Sequence, residues 1–179
     1  MTTFRAFVVC GNAGVGKTTF ARRWARQEGA LLLDIDTVSE RLVRAGLAAS
    51  GRDADDRDSA DYKRIYRDAI HETLFAVARD NLMVLPVVIV APFTQERRRD
   101  DFTDWLAERL GTPARVFFLW LPDDERRRRI ERRDNPRDRA KLAAWSDYAE
   151  SGHDAARPTY DHVWIDTSQG EFVDAPRSE

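Results

Sequence analysis

A three-layer α/β/α sandwich on a five-stranded parallel sheet is the fold this sequence predicts, and three observations predict it. The first is Gly11-Asn12-Ala13-Gly14-Val15-Gly16-Lys17-Thr18, followed by Thr19, which fits G-x-x-x-x-G-K-[ST] in full and stands between an apolar run and a helical pattern. The second is alternation: five short β-branched or aromatic runs are separated by segments with helical apolar spacing, the pattern of a parallel sheet covered on both faces with right-handed crossovers. The third is length. A chain of 179 residues without a repeat or interdomain linker suits a single domain, residues 1–179.

Residues 4–10, Phe-Arg-Ala-Phe-Val-Val-Cys, predict a buried first strand, with Cys10 as a small buried side chain. The glycines that follow let the backbone turn until consecutive N–H groups face a phosphate, and the positive end of the next helix adds to that field. In such a loop the lysine, Lys17, reaches the β- and γ-phosphates, and the Thr18 hydroxyl ligates Mg²⁺. Phe20, Ala21, Trp24 and Ala25 then form one helical stripe, which Gly29 ends.

Residues 30–36 predict a second buried strand finishing in two carboxylates, Asp34 and Asp36. Ligands of open α/β sheets lie beyond the carboxyl ends of the strands, so these acids face the same crevice as the glycine loop and one can serve as a catalytic base. The structural alternative is that Asp36 or Thr37 caps a helix over residues 38–46. Residues 48–60 turn to Ser, Gly, Asp and Arg and predict a mobile, solvated loop able to close over a substrate. Asp61 opens a helix with Ile65, Ala69, Leu74, Phe75 and Ala78 on its apolar side, and Tyr62 and Tyr66 as a packing pair.

Pro86 interrupts the apolar run 82–90, so the third strand starts at or after it. It leads to Ala91-Pro92-Phe93 at the crevice edge, where Phe93 either stacks on a substrate ring or closes the core. Thr94 is expected to cap a helix with Arg97, Arg98 and Arg99 near its start and Phe102, Trp105, Leu106 and Leu110 inward, stopped by Gly111. Residues 114–121 read as the fourth strand. The next helix, from Pro122, carries Arg126 to Arg129, Arg132 and Arg133, followed by Arg137 and Arg139. Arg129, Arg133 and Arg137 share one face if the helix continues that far, and arginine's planar fork suits phosphate, so residues 126–141 form a candidate lid. Asn135-Pro136 limits the helix; a further one runs through Trp145 and Tyr148 to Gly152, residues 162–167 supply the fifth strand, and 170–179 form a tail.

Composition narrows the function classes. The chain is 42% hydrophobic and 34% charged with a net charge of −2, a balance without a global pull towards nucleic acid. One cysteine excludes an intrachain disulfide and a cysteine zinc cage, and the three histidines show no metal-site spacing. With no apolar run of about 18 residues and no basic-then-apolar leader, no membrane partner and a cytoplasmic location are expected. There is no Asn-Lys-x-Asp or Thr-Lys-x-Asp of GTPases, no Leu-Ser-Gly-Gly-Gln of transporter ATPases, and no acid closing the third strand as in motor-type hydrolases.

The glycine loop, Asp36, Ala91-Pro92-Phe93, Arg129-x-x-x-Arg133 and Val163-Trp164-Ile165-Asp166-Thr167 together resemble the compact P-loop kinases of the nucleoside-monophosphate-kinase-like group, in particular the branch with chloramphenicol phosphotransferase, zeta-toxin-like kinases and the kinase domain of phage polynucleotide kinase. The resemblance implies a P-loop NTPase fold with a helical arginine-rich lid, ATP and Mg²⁺, and a hydroxyl-bearing small-molecule acceptor. It implies Asp36 as the base, Asp34 assisting Mg²⁺ through water beside Thr18, and Arg129, Arg133 and Arg137 as lid residues on the phosphates. The missing third-strand acid leaves Asp34 and Asp36 both open as the base; Asp36 is preferred as the one farther into the crevice. Two rivals remain: a nucleotide or polynucleotide kinase using the 97–99 arginines on its acceptor, and an ATP-binding regulatory module with no acceptor.

Overall fold

The computed structural model describes residues 4–57, 59–151 and 157–168, with the backbone alone at 137, 150 and 151. Its centre is β1 (Ala6–Cys10), every residue of which is buried, as a strand with neighbours on both edges and helices on both faces requires. The other strands are β2 (Leu31–Asp34), β3 (Val87–Val90), β4 (Ala114–Trp120) and β5 (Val163–Asp166). All pairings are parallel, in the order β2-β3-β1-β4-β5, with Val8 opposite Ile89 on one side and Val116 on the other. Chain order therefore reverses at β1, and the crevice opens above its carboxyl end.

The strands are covered by α1 (Lys17–Glu28), α2 (Ile35–Ala49), α4 (Asp68–Leu82), α5 (Phe102–Leu110) and α6 (Asp123–Arg133). On one face Phe7, Phe20, Trp24 and Phe117 form an aromatic cluster, with Trp24 and Phe117 centroids 4.7 Å apart. On the other, Leu47, Leu74, Phe75, Phe93, Phe102 and Leu106 close the core. No helix among the described residues is long and apolar enough to cross a membrane.

Several boundaries differ from expectation for local physical reasons. The second strand ends at Asp34, whose side chain accepts the Asp36 N–H and caps α2 itself, so Asp36 lies in the first helical turn and not on the strand. α3 (Ala60–Tyr62) passes through a π turn, Lys63–Arg67, into α4. The wider turn shifts the helical phase: Ile70 and His71 are buried, while Ile65 is 43% exposed and Ala69 is exposed, contrary to the expected stripe. Tyr62 and Tyr66 stack as the packing pair foreseen.

Phe93 is a core residue, 1% exposed at a φ of 44°, among Phe75, Phe102 and Trp105, and does not present a ring to a substrate. Residues Glu96–Arg98 make a single 3₁₀ turn and α5 starts only after Asp101, so Thr94 is not its cap. Gly111 ends α5 as expected, in the left-handed conformation. Helix α6 stops at Arg133, with Asp134 left-handed, before the 3₁₀ turn Pro136–Asp138. Arg137 is therefore not on the face shared by Arg129 and Arg133, because a helix running into Pro136 would place Asn135 in the conformation proline disfavours. The following helix is two pieces, α7 (Arg139–Ala143) and α8 (Trp145–Ser151). The expected stop at Gly152, the tail from residue 170 and the side chain of Arg137 lie outside the described residues.

Candidate active site

The loop after β1 is shaped by glycines at positive φ: 133° at Gly11, 85° at Gly14 and 93° at Gly16. A Cβ on Gly11 would lie 2.3 Å from the Leu119 carbonyl oxygen and one on Gly14 2.9 Å from that of Arg126, so the loop is pressed onto β4 and α6. Gly16 precedes α1 and supplies no side-chain cap, which leaves first-turn N–H groups for an anion. Lys17 Nζ donates to the carbonyls of Gly11 (2.9 Å) and Asn12 (2.8 Å). Burial, then the nearby Arg97 charge, pulls the Lys17 pKa down to about 8, against the opposing field of Asp36.

Thr18 Oγ1 donates to Asp34 Oδ2 at 2.7 Å, and the other Asp34 oxygen accepts the Asp36 N–H at 3.0 Å. Asp34 is thus buried and engaged at both oxygens, whereas Asp36 is exposed on the cleft wall. The cleft measures about 450 Å³. Ala13, Gly14, Gly16, Lys17, Thr18 and Thr19 line it, while Gly11, Asn12 and Val15 are buried behind it.

Arg129 and Arg133 line the same cleft from α6. Arg129 donates to the Thr167 carbonyl at 2.7 Å, at the end of β5. Arg133 makes a two-pronged pair with the buried carboxylate of Asp138, at 2.6 and 2.7 Å. Lys17, Thr18, Asp34, Asp36, Arg129 and Arg133 are therefore brought to one cavity.

Several cleft groups were not foreseen. Arg97, 3% exposed, donates to Asn12 Oδ1 at 2.6 Å and braces the loop from behind, so it is no part of an exposed arginine cluster. In the sequence it is one of three consecutive arginines, and nothing there marks which turns inward. The loop 50–59 is not merely solvated: Arg57 reaches the cleft and pairs with Glu40 at 2.9 Å, and Arg44 pairs with Asp55. Arg67 pairs with Glu96 at 2.6 Å beside the buried His71, whose pKa is lowered chiefly by desolvation. Lys63, Lys141 and Tyr148 also line the cavity. A sequence signal for the lysines existed: Lys17, Lys63 and Lys141 are the only lysines among 29 basic residues.

Comparison with known proteins places this geometry. The family model AAA_33, described as an AAA domain, matches residues 7–152. No curated protein matches the chain. Among solved structures, a sugar kinase from Janibacter sp. HTCC2649 is 18% identical with a TM-score of 0.60, covering 92% of this chain and 86% of its own. A gluconokinase from Sinorhizobium meliloti 1021 is 18% identical with a TM-score of 0.55, covering 92% and 83%. A shikimate kinase from Bacteroides thetaiotaomicron is 18% identical with a TM-score of 0.54, covering 82% and 76%. At these identities the likeness is one of fold, the α/β P-loop fold that those kinases share.

Proposed function

The chain belongs to the AAA_33 family of AAA domains, and from that premise we propose that it is an ATP-dependent phosphotransferase that moves the γ-phosphoryl group to a hydroxyl of a small molecule. The observation that carries the reading is the convergence of Lys17, the Thr18–Asp34 pair and the exposed Asp36 on one cleft faced by Arg129 and Arg133. The kinases named by the structural neighbours act in the same fold and support it.

The triphosphate occupies the loop and the α1 N-terminus, where backbone N–H groups face its oxygens. Lys17 leaves the Gly11 and Asn12 carbonyls for β- and γ-phosphate oxygens, and that negative charge holds it protonated. The fit to Mg²⁺ rests on Thr18 Oγ1 and Asp34 Oδ2, two oxygens 2.7 Å apart at the mouth of the loop. Thr18 would ligate the ion and Asp34 would hold one of its waters, with phosphates and water supplying the rest, the arrangement Mg²⁺ favours. Bound there, Mg²⁺ offsets charge on the β- and γ-oxygens. Asp36 takes the proton of the acceptor hydroxyl as its oxygen attacks phosphorus in line and the bond to ADP breaks. Asp34 is the poorer base because both its oxygens are engaged. Arg129 and Arg133 exchange Thr167 and Asp138 for the transferring group, so that positioning and charge neutralisation supply most of the rate.

The reading from another class, a regulatory module that binds ATP without an acceptor, is separated by Asp36→Asn. A kinase keeps ATP affinity within about threefold and loses at least about 10²-fold in acceptor-dependent turnover. Unchanged turnover in this variant would remove Asp36 as the base.

A further inference from the structure

In a chain that otherwise uses arginine for positive charge, all three lysines line the one cleft. Lys17 belongs to the phosphate loop and Lys141 to the segment after α6. Lys63 stands apart from both, at the first position of the π turn Lys63–Arg67, on the cleft wall that also carries Tyr62 and Arg67.

The neighbouring cations are already engaged. Arg57 pairs with Glu40, Arg67 holds Glu96 through 2.6 and 2.8 Å bonds and Gln95 through a third, and Arg133 holds Asp138. Lys63, among the described residues, has no carboxylate within ion-pair distance, and it is exposed to the cavity. The π turn places it there. A π turn widens one helical turn by a residue, which sends Ile70 and His71 to the core and leaves Lys63 and Arg67 on the cleft. Tyr66 anchors the turn: a Cβ on Gly46 would lie 2.5 Å from its hydroxyl, so α2 and the turn pack in direct contact.

We propose that the π turn Lys63–Arg67 is the acceptor-recognition element and that Lys63 receives an anionic group, carboxylate or phosphate, of the acceptor whose hydroxyl lies at Asp36. The inference rests on the kinase reading for the place of that hydroxyl. Arg67, locked to Glu96 and Gln95, forms a rigid wall of the subsite, and the mobile ammonium of Lys63 supplies the charge.

The test is calorimetric binding to the full chain saturated with a non-hydrolysable ATP analogue. The probes are matched pairs: polyhydroxy acids and sugar phosphates, each against its neutral parent aldose. The anionic members should bind about tenfold or more tighter, Lys63→Gln should erase that preference, and Lys63→Arg should retain part of it. The arm that binds, acid or phosphate, identifies the anion. Equal binding of neutral parents, a preference that survives Lys63→Gln, or no binding by any member overturns the proposal. The same pairs are then assayed for transfer from ATP. An anion preference in binding without any transfer leaves Lys63 in place and rejects the kinase reading, whereas transfer to neutral and anionic members alike keeps the kinase and rejects this subsite.

Discussion

Lys17 holds an unusual charge state for a surface-facing phosphate loop: with a pKa of about 8, it begins to lose its proton just above neutral pH when no nucleotide is present. Binding a triphosphate must then restore that proton, so ATP affinity should weaken as pH rises past 8, by up to about tenfold per unit. Nucleotide titrations between pH 7 and 10 check this, and Lys17→Arg should show no such inflection because its guanidinium stays charged. Stability moves the other way. The unfolded chain holds this proton up to a pKa near 10.5 and the folded chain only to about 8, so between those values the unfolded state binds more protons and the contribution of Lys17 to stability rises with pH. At this scale the sequence was informative wherever residue type alone implies chemistry, as for Lys17 and Thr18. It did not separate Asp34 from Asp36, because their roles depend on where β2 yields to α2, a boundary set by the Asp34 cap itself. It also missed the inward turn of Arg97, whose bond to Asn12 spans 85 residues of chain.

Helix α6 and the turn after it are the elements with work left to do. Arg129 and Arg133 line the cleft but are bound to Thr167 and Asp138, so closing on a phosphate requires an exchange of partners. An arginine that engages mainly the transferring group acts on the transition state more than on bound ATP. Arg133→Ala should therefore lower kcat by about 10²-fold while changing the KM for ATP by less than about fivefold, and steady-state kinetics on both parameters decides it. Equal losses in both would place Arg133 in ground-state binding. The lid was legible from arginine spacing and its end from Asn135-Pro136, but Arg137 was carried too far along the face because spacing alone ignores where the helix stops. The π turn left no legible trace, since the same residues fit an α-helical stripe until Ile65 and Ala69 are seen outside and Ile70 inside.

For the whole molecule, the five parallel strands and the covering helices were readable because burial on both faces leaves continuous apolar runs, and Pro86 and Gly111 punctuate them. Strand order was not readable, as pairings between distant runs carry no local signature. The aromatic cluster beneath the phosphate loop joins stability to function: Trp24 on α1 packs on Phe7 and Phe117 of the central strands. Trp24→Ala should destabilise the protein by about 3–5 kcal/mol, seen as a lower urea midpoint, and ligand-free unfolding curves measure it. The central claim concerns what this scaffold carries, a donor loop and an acceptor base on one cleft. Its most direct test is transfer of labelled γ-phosphate from ATP across a panel of hydroxyl compounds, read as labelled product above background hydrolysis. The account predicts label on a hydroxyl of at least one acceptor, lost in both Lys17→Ala and Asp36→Asn; label released only as inorganic phosphate, at a rate no acceptor alters, would contradict it.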